Sequence, residues 1–381
     1  MKAMILAAGK GTRVNPLTHT TPKPLLPVKN TPVIELIIRF LQRYGVDEFA
    51  INTSHLATTI EDRLGNGCRY GANFTFSFEG SKDHKGYHPH PIGSAAGMQK
   101  IQQRWQMFDD TFIVVCGDAC IDFDLSQAVA FHRARGGVAT IITKTVEKHL
   151  VSRYGVVNAD QAGRVRSFQE KPAPEEALSN EVNTGIYLFE PAIFDHIPLM
   201  GEFDIGGDLF PQLLKRALPV YAISPNMTWL DIGNLYDLWS VNQQAIREGV
   251  PYLNNRYRRL APGVYAKPNV IINPQRCNLK GPIHIESGAT IEDGATITGP
   301  TLIGANALVR KNNTVHQSII EEYTGLKPHQ TISKMWLGTN YAIELNTDTE
   351  SSRLVNVEPL AQDSRELAQK PALASNIVRI A

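Results

Sequence analysis

The segment Leu6-Ala7-Ala8-Gly9-Lys10-Gly11-Thr12-Arg13 carries two glycines and two cations, and Lys23 follows between two prolines in Pro22-Lys23-Pro24. Glycines let backbone N–H groups approach an anion with no Cβ in the way, and cations neutralise the charge that arrives. The segment reads as a phosphate cradle. It has neither the Gly-Lys-Ser/Thr ending of a Walker A loop nor the spacing of the Rossmann glycine fingerprint. Asp118 follows Phe112-Ile113-Val114-Val115-Cys116-Gly117, so a carboxylate stands where an apolar strand opens to solvent. Asp231 is placed alike, between Trp229-Leu230 and the glycine turn Ile232-Gly233-Asn234. Taken singly, each aspartate is equally a turn-former bonding its own backbone. Taken with the phosphate loop, the pair suits Mg²⁺, which accepts few protein oxygens and completes its octahedron with water and substrate phosphate.

These side chains need a scaffold that brings strand ends together. Short apolar runs recur at Lys2–Leu6, Glu48–Thr53, Asn73–Phe78, Thr111–Cys116, Ala139–Thr143, Gly185–Phe189 and Val220–Ile223, alternating with helical patterns. That order predicts an α/β fold, a Rossmann-like doubly wound, mostly parallel sheet with helices on both faces. Thr31 as cap and Pro32 as first helical residue open a helix whose apolar positions are Val33, Leu36, Ile37, Phe40 and Leu41, with Gly45 as its stop. Ligands of such sheets bind beyond the carboxyl ends of the strands, where both Leu6–Gly9 and Asp118 fall.

A different rule governs the chain after about residue 260. Ile285, Ile291, Ile297, Ile303, Val309 and Val315 recur at a six-residue interval. One aliphatic per six residues predicts a short left-handed parallel β-helix, whose coils stack their aliphatic corners. The expected organisation is a catalytic domain over 1–245, a linker over 246–261, the β-helix over 262–325 and a C-terminal extension over 326–381, disordered or docked as a helix. The edges of the β-helix suit assembly into a homo-oligomer. On that division a chain ending near Arg256 is expected to keep its activity.

Composition narrows the partners. The 381 residues are 43% hydrophobic and 20% charged, ordinary for a globular protein of two domains, and the net charge of +1 favours neither nucleic acid nor a membrane surface. No apolar run approaches the roughly 18 residues of a membrane span, and Met1–Leu6 is too short for a signal peptide, which predicts a cytoplasmic protein. Cys68, Cys116, Cys120 and Cys277 form no Cys-x-x-Cys pair and are expected to be buried thiols. His84, His88 and His90 crowd one loop, with no cysteine or carboxylate at zinc-ligand spacing.

The ordered motifs Leu-Ala-Ala-Gly-Lys-Gly-Thr-Arg, Pro-Leu-Thr and Pro-Lys-Pro resemble the signature of the sugar-phosphate nucleotidyltransferases, or NDP-sugar pyrophosphorylases. The resemblance spans residues 1 to about 245, and a β-helix is a frequent companion in that family. It implies that Asp118 and Asp231 hold the catalytic Mg²⁺, that Arg13 faces the departing pyrophosphate and that Lys23 faces the α-phosphate. It implies further that Leu6, Ala7, Ala8, Gly9, Gly11, Thr12 and Arg13 bind the nucleotide, together with Gly93 and Ser94 at its base and sugar edge. Lys171 would meet the sugar phosphate and Glu170 a sugar hydroxyl, with Asn183, Thr184 and Gly185 lining the sugar pocket. Without the resemblance, Glu170 and Lys171 are a surface ion pair of little worth.

The substrates implied are a nucleoside triphosphate and a sugar 1-phosphate. Family members that use UTP or dTTP tend to place a glutamine shortly before the segment that here is Gly93-Ser94-Ala95-Ala96-Gly97, and His90-Pro91-Ile92 has none. With the β-helix, this implies GTP and mannose 1-phosphate. Against that choice, mannose-specific members often carry a basic residue where Gly207 falls. Glucose 1-phosphate or another sugar phosphate with UTP, dTTP or ATP is the alternative. Two further readings are a non-catalytic NDP-sugar-binding paralogue, whose usual mark is loss of a metal carboxylate or of Lys23, and a β-helix acyltransferase using His284 or His316.

Overall fold

The computed structural model describes residues 1–249, 257–367 and 378–379, the last two without their side chains. The chain forms two compact units, one of residues 1–26 and 32–231, the other of residues 27–31 and 232–381.

The first unit is built on a nine-stranded sheet. Its centre is parallel: Asn73–Phe78, Glu48–Thr53, Ala3–Ala7 and Phe112–Cys116 lie side by side in that order. Met4, Ile5 and the run Phe112–Val115 are almost wholly buried, as strands covered on both faces must be. The chain leaves Ala3–Ala7 to build outward on one side and later returns to its other side with Phe112–Cys116. The carboxyl ends of these two strands therefore flank a switch point, where open sheets form a crevice. Beyond Phe112–Cys116 the sheet turns antiparallel through Glu181–Phe189.

Helix α1 (Val33–Gln42) buries Val33, Ile34, Leu36, Ile37, Ile38, Phe40 and Leu41. Its N-cap is Pro32 with no side-chain cap, so Thr31 does not cap it; Thr31 and Pro32 form a short strand instead. Helices α2 (Ala57–Leu64), α3 (Ser94–Trp105), α4 (Leu125–Arg135) and α5 (Phe210–Lys215) complete this unit. Phe112, Phe108 and Phe194 stack in the core beneath the sheet.

The second unit contains α6 (Leu235–Glu248) and a parallel β-helix of three sheets. Ile285 pairs with Ile303, Ile291 with Val309 and Ile297 with Val315. Each coil thus takes three of the six-residue repeats, one per sheet, and the aliphatic residues stack in a buried core. The repeat runs on past Val315 through Ile320, Leu326 and Ile332, with one residue dropped, as the pairs Ile303 with Ile320 and Val315 with Ile332 show. The chain after Leu337 adds strands, where a docked helix or disorder was expected. Ala342–Asn346 and Ser351–Val355 form a hairpin antiparallel to Met335–Leu337, and Ala361–Asp363 pairs with Thr324–Leu326. The hairpin covers the edge of the last coil, an edge expected to be open for assembly. The Leu/Ala-rich stretch of the tail lies largely outside the described residues.

Cys120 is buried, Cys116 and Cys277 are partly so, but Cys68 is exposed. Among the described residues no helix is long and apolar enough to cross a membrane.

Candidate active site

A cavity of about 450 Å³ lies in the first unit, beyond the carboxyl ends of Ala3–Ala7 and Phe112–Cys116. Leu6, Ala7, Ala8, Gly9, Arg13 and Lys23 line one part of it, Gly93 and Ser94 another, and Glu170, Lys171, Asn183, Thr184 and Gly185 a third. Asp118 and Asp231 also face it. Gly11 and Thr12 are not on its wall. Gly11 has φ +65°, and a Cβ there would stand 3.0 Å from the Lys23 Cβ, so this glycine lets the loop pack against Lys23.

The two aspartates arrive by different routes. Gly117 donates its N–H to the Leu6 carbonyl at 2.9 Å, and a Cβ at that position would lie 2.8 Å from the same oxygen. Only glycine lets the chain turn there and present Asp118 beside the first loop. Asp231 ends the strand Met227–Asp231, which runs antiparallel to Ala119–Phe123 with Asp231 opposite Ala119. The register thus places it across from the residue next to Asp118. Lys23 Nζ lies 2.5 Å from Asp118 Oδ2, with the lysine side chain 11% and the aspartate side chain 30% exposed. Two acidic side chains on one polar wall, with room for phosphate and water, fit the oxygen-rich coordination of Mg²⁺.

Glu170 and Lys171 form an exposed ion pair at 3.1 Å. Lys171 has φ +46°, which turns the chain sharply after the strand Val165–Glu170. Gly185 has φ +73°, and a Cβ there would meet the Cys116 Sγ at 2.6 Å. Asn183 Oδ1 accepts from the Gly185 N–H, and Asn183 Nδ2 donates to Tyr187 Oη. Thr184 Oγ1 donates to the Ile142 carbonyl while its own carbonyl accepts from Trp229 Nε1. Burial and the nearby Asp118 raise the Cys116 thiol far above its ordinary range, so it stays protonated.

Several lining residues were missed in the sequence. Asn52 Oδ1 accepts the Ala7 N–H at 2.8 Å, and its Nδ2 donates to Glu79 Oε1 at 2.8 Å. Glu79 Oε2 accepts the Ile92 N–H at 3.0 Å. Glu79 is 1% exposed, and burial raises its carboxyl above the usual glutamate range despite these bonds. Asp204 accepts from Ser94 Oγ and from the Gly206 and Gly207 N–H groups, fixing the turn that follows it. Glu79 and Asn52 stand at strand ends, as Asp118 does, and that position was the available signal.

His84 lies between two short strands, Gly80–Asp83 and Gly86–Pro89, that form a hairpin. His88 Nε2 is 2.9 Å from Asp83 Oδ1, so a carboxylate does stand beside the histidines, contrary to the reading of their spacing. Among the described residues no group of three or more His, Cys, Asp or Glu side chains is placed to hold a metal by itself. The pair Asp118 and Asp231 would rely on substrate oxygens.

Residues 2–248 match the family described as Nucleotidyl transferase. The chain belongs to this family. It is 43% identical over 368 residues to a UTP–glucose-1-phosphate uridylyltransferase of Synechocystis, covering 97% of this nucleotidyl transferase and 95% of the relative. It is 30% identical over 273 residues to the mannose-1-phosphate guanylyltransferase catalytic subunit beta of Drosophila pseudoobscura pseudoobscura, covering 71% and 68%. A crystal structure from Bacillus anthracis, assigned as a glucose-1-phosphate thymidylyltransferase, aligns at a TM-score of 0.54 and 26% identity over 64% of this nucleotidyl transferase and 95% of that chain.

Proposed function

We propose that this nucleotidyl transferase makes an NDP-sugar and pyrophosphate from a nucleoside triphosphate and a sugar 1-phosphate, and that its preferred pair is UTP and glucose 1-phosphate. The observation that carries the choice of pair is the 43% identity over nearly the whole of both chains, β-helix included, to a relative with that name. The likeness to guanylyltransferases is weaker and covers less. The sequence favours GTP on two grounds, the absence of a glutamine before Gly93 and the attached β-helix, and the second is shared with the uridylyltransferase, which the chain matches over 95% of its length. The polar residue at the end of the preceding strand is Glu79, and both its oxygens are engaged by Asn52 and Ile92. A missing glutamine next to Gly93 is then weak ground for choosing a purine.

A non-bridging oxygen of the sugar phosphate attacks the α-phosphorus, the new P–O bond forms, and the bond to the pyrophosphate oxygen breaks. The attacking oxygen is already anionic at neutral pH, so no general base is needed, and no enzyme atom is covalently engaged. Catalysis rests on holding two polyanions together and neutralising the charge that shifts to the leaving group. The backbone of Leu6–Gly9 holds the nucleotide beside Arg13, and Lys23 and Lys171 approach the two phosphates from separate walls. Asp118 and Asp231 would hold Mg²⁺, which when bound neutralises phosphate charge and aligns the reacting oxygens. Both carboxylates and Lys23 are present, so the mark of a non-catalytic paralogue is missing.

Pyrophosphate release tests the reading with UTP, dTTP, ATP and GTP against glucose 1-phosphate and mannose 1-phosphate. UTP with glucose 1-phosphate is expected to give the highest kcat/KM, by about two orders of magnitude where base-edge hydrogen bonds are buried. A clear preference for GTP with mannose 1-phosphate overturns the substrate pair, and no pyrophosphate release with any combination overturns the enzyme.

A further inference from the structure

Two buried polar side chains on the wall of the active-site cavity spend their hydrogen bonds on the protein itself. Asn52 is 2% exposed and Glu79 1%. Asn52 lies opposite Leu6 in the parallel pair of strands, and its Oδ1 takes the Ala7 N–H where the strand gives way to the glycine loop. Its Nδ2 donates to Glu79 Oε1, and Glu79 Oε2 takes the Ile92 N–H, one residue before Gly93. Three hydrogen bonds of 2.8, 2.8 and 3.0 Å thus run from the root of the loop Leu6–Gly9 to the root of the segment Gly93–Ser94.

The polarity of these bonds dictates the residue types. The side chain at 52 meets an N–H on one side and a carboxylate on the other, so it must both accept and donate, as an amide does. The side chain at 79 lies between two donors and must accept twice, which a carboxylate does and an amide cannot. Lys100, whose charge favours the ionised form of Glu79 through space, donates to the Phe78 carbonyl instead of to the carboxylate. Holding a carboxylate in the interior with no cation bonded to it is costly, and an apolar pair would fill this space without that cost.

The surroundings are shaped around the pair. The Glu79 N–H donates to the Thr53 carbonyl, and the Glu79 carbonyl accepts from the Ser54 hydroxyl and the His90 N–H. Gly97 of α3 lies against both side chains: a Cβ there would stand 2.4 Å from Glu79 Oε1 and 3.1 Å from Asn52 Nδ2. The Ile92 carbonyl accepts the Phe203 N–H, and the Phe203 carbonyl accepts the Ala95 and Ala96 N–H groups. Whatever moves Ile92 therefore moves the entry to α3.

We propose that Asn52 and Glu79 are positioning residues that fix the spacing between the loop Leu6–Gly9 and the segment Gly93–Ser94, so that the triphosphate and base ends of one nucleotide meet their walls together. This role rests on the proposed reaction, in which those two segments hold the nucleotide, and it needs no contact of either side chain with substrate. Wrongly spaced walls weaken the nucleotide in the ground state and the transition state alike, which raises KM for the triphosphate and spares kcat. The sugar phosphate meets other walls, so its KM stays where it was.

Three variants test the bond pattern. Asn52→Asp turns two acceptors on each other, and Glu79→Gln leaves one donor without a partner. The double variant Asn52→Asp, Glu79→Gln inverts the middle bond and keeps all three: the new carboxylate accepts from Ala7 and from the new amide, whose oxygen accepts from Ile92. The net charge of the pair is unchanged. Each full chain is titrated by calorimetry with Mg²⁺ and UTP, or whichever triphosphate the panel above prefers, and assayed for pyrophosphate release, with circular dichroism to confirm folding. Each single variant is expected to bind the triphosphate about tenfold more weakly and to raise its KM alike, with kcat within about threefold of wild type. The double variant is expected to return to within about threefold of wild type in both affinity and KM.

Single variants that bind the triphosphate as wild type does overturn the proposal. So does a folded double variant no tighter than the single ones, which would mean that the carboxylate at 79 touches the nucleotide itself. Where a single variant fails to fold, the double variant still decides, because wild-type affinity supports the positioning role and a tenfold loss removes it. A wild type that binds the triphosphate but releases no pyrophosphate with any sugar phosphate overturns the proposed reaction alone, and one that binds no triphosphate overturns both.

Discussion

Lys23 Nζ and Asp118 Oδ2 are 2.5 Å apart, although Lys23 opens the helical turn Lys23–Leu25 and Asp118 follows the strand Phe112–Cys116, 95 residues on. The ion pair keeps a cation proposed to meet the α-phosphate within reach of a carboxylate proposed to hold Mg²⁺. Asp118 would exchange Lys23 for the ion, and Lys23 would exchange Asp118 for the α-phosphate. Asp118→Asn keeps the shape but removes the charge. It is expected to fold as wild type by circular dichroism and to lose about two orders of magnitude in kcat, the scale for one electrostatic contact to a transition state. The loss should persist across a Mg²⁺ titration. Near-normal turnover at saturating metal rules out this role for Asp118.

Glu79 provides a test at the other end of the cavity. Its carboxyl is raised mainly by burial, with the bonds from Asn52 and Ile92 opposing the shift. A raised folded value means that its favourable contribution is complete below the unfolded value of about 4.3 and is lost as pH rises through the folded value. The Glu79→Gln amide cannot accept at both positions, because Asn52 Oδ1 is held by Ala7 and keeps Nδ2 as the donor. The variant should be destabilised by about 1–3 kcal/mol, and the gap to wild type should narrow from pH 4 to pH 7. Urea unfolding across that range checks both; parallel stability curves would dismiss the raised carboxyl.

Gly93 sits at the entry to α3 with φ +90°, and a Cβ there would lie 2.5 Å from the Phe203 carbonyl oxygen and 2.7 Å from its carbon. That carbonyl oxygen also accepts the Ala95 and Ala96 N–H groups, so the peptide cannot withdraw cheaply. Gly93→Ala should cost roughly 1–3 kcal/mol of stability and raise KM for the triphosphate more than it lowers kcat. Thermal unfolding and steady-state kinetics test the two parts separately.

Much of this was legible because local signals and global packing agree. The runs Lys2–Leu6 and Thr111–Cys116 became buried parallel strands because their residues are apolar on both faces, and Asp118 stood out as the charge that ends one. The six-residue repeat persists because each coil stacks an aliphatic corner on the last. Glu79 was hidden by the hairpin Gly80–Pro89, which separates it in sequence from the Gly93 segment that it meets in space. The turn at Lys29 was hidden for another reason: what buries and orients it is Asn242, more than 200 positions away, and no local pattern announces such a pairing. The strands after Leu337 are short and antiparallel at the edge of a coil, and although Ala342, Ile343 and Leu345 are buried, they fall outside the six-residue repeat that marks the coils.

The same long-range pairing changes what truncation should do. A chain ending at Arg256 was expected to keep its activity, on the assumption that α6 belongs with the catalytic fold. The structure groups α6 and Pro27–Thr31 with the β-helix, and α6 packs on Thr301–Ile303 and Ser351–Val355. Ending the chain at Arg256 removes both surfaces and leaves the apolar face of α6, which buries Leu235, Leu238, Trp239, Val241 and Ile246 in the full chain, only partly covered. The shortened chain is therefore expected to aggregate in light scattering and to unfold at a lower temperature, with the Pro27–Thr31 turn loosened next to Lys23. A monodisperse, fully active chain ending at Arg256 would show that α6 is stable without the coils and that the β-helix serves another purpose.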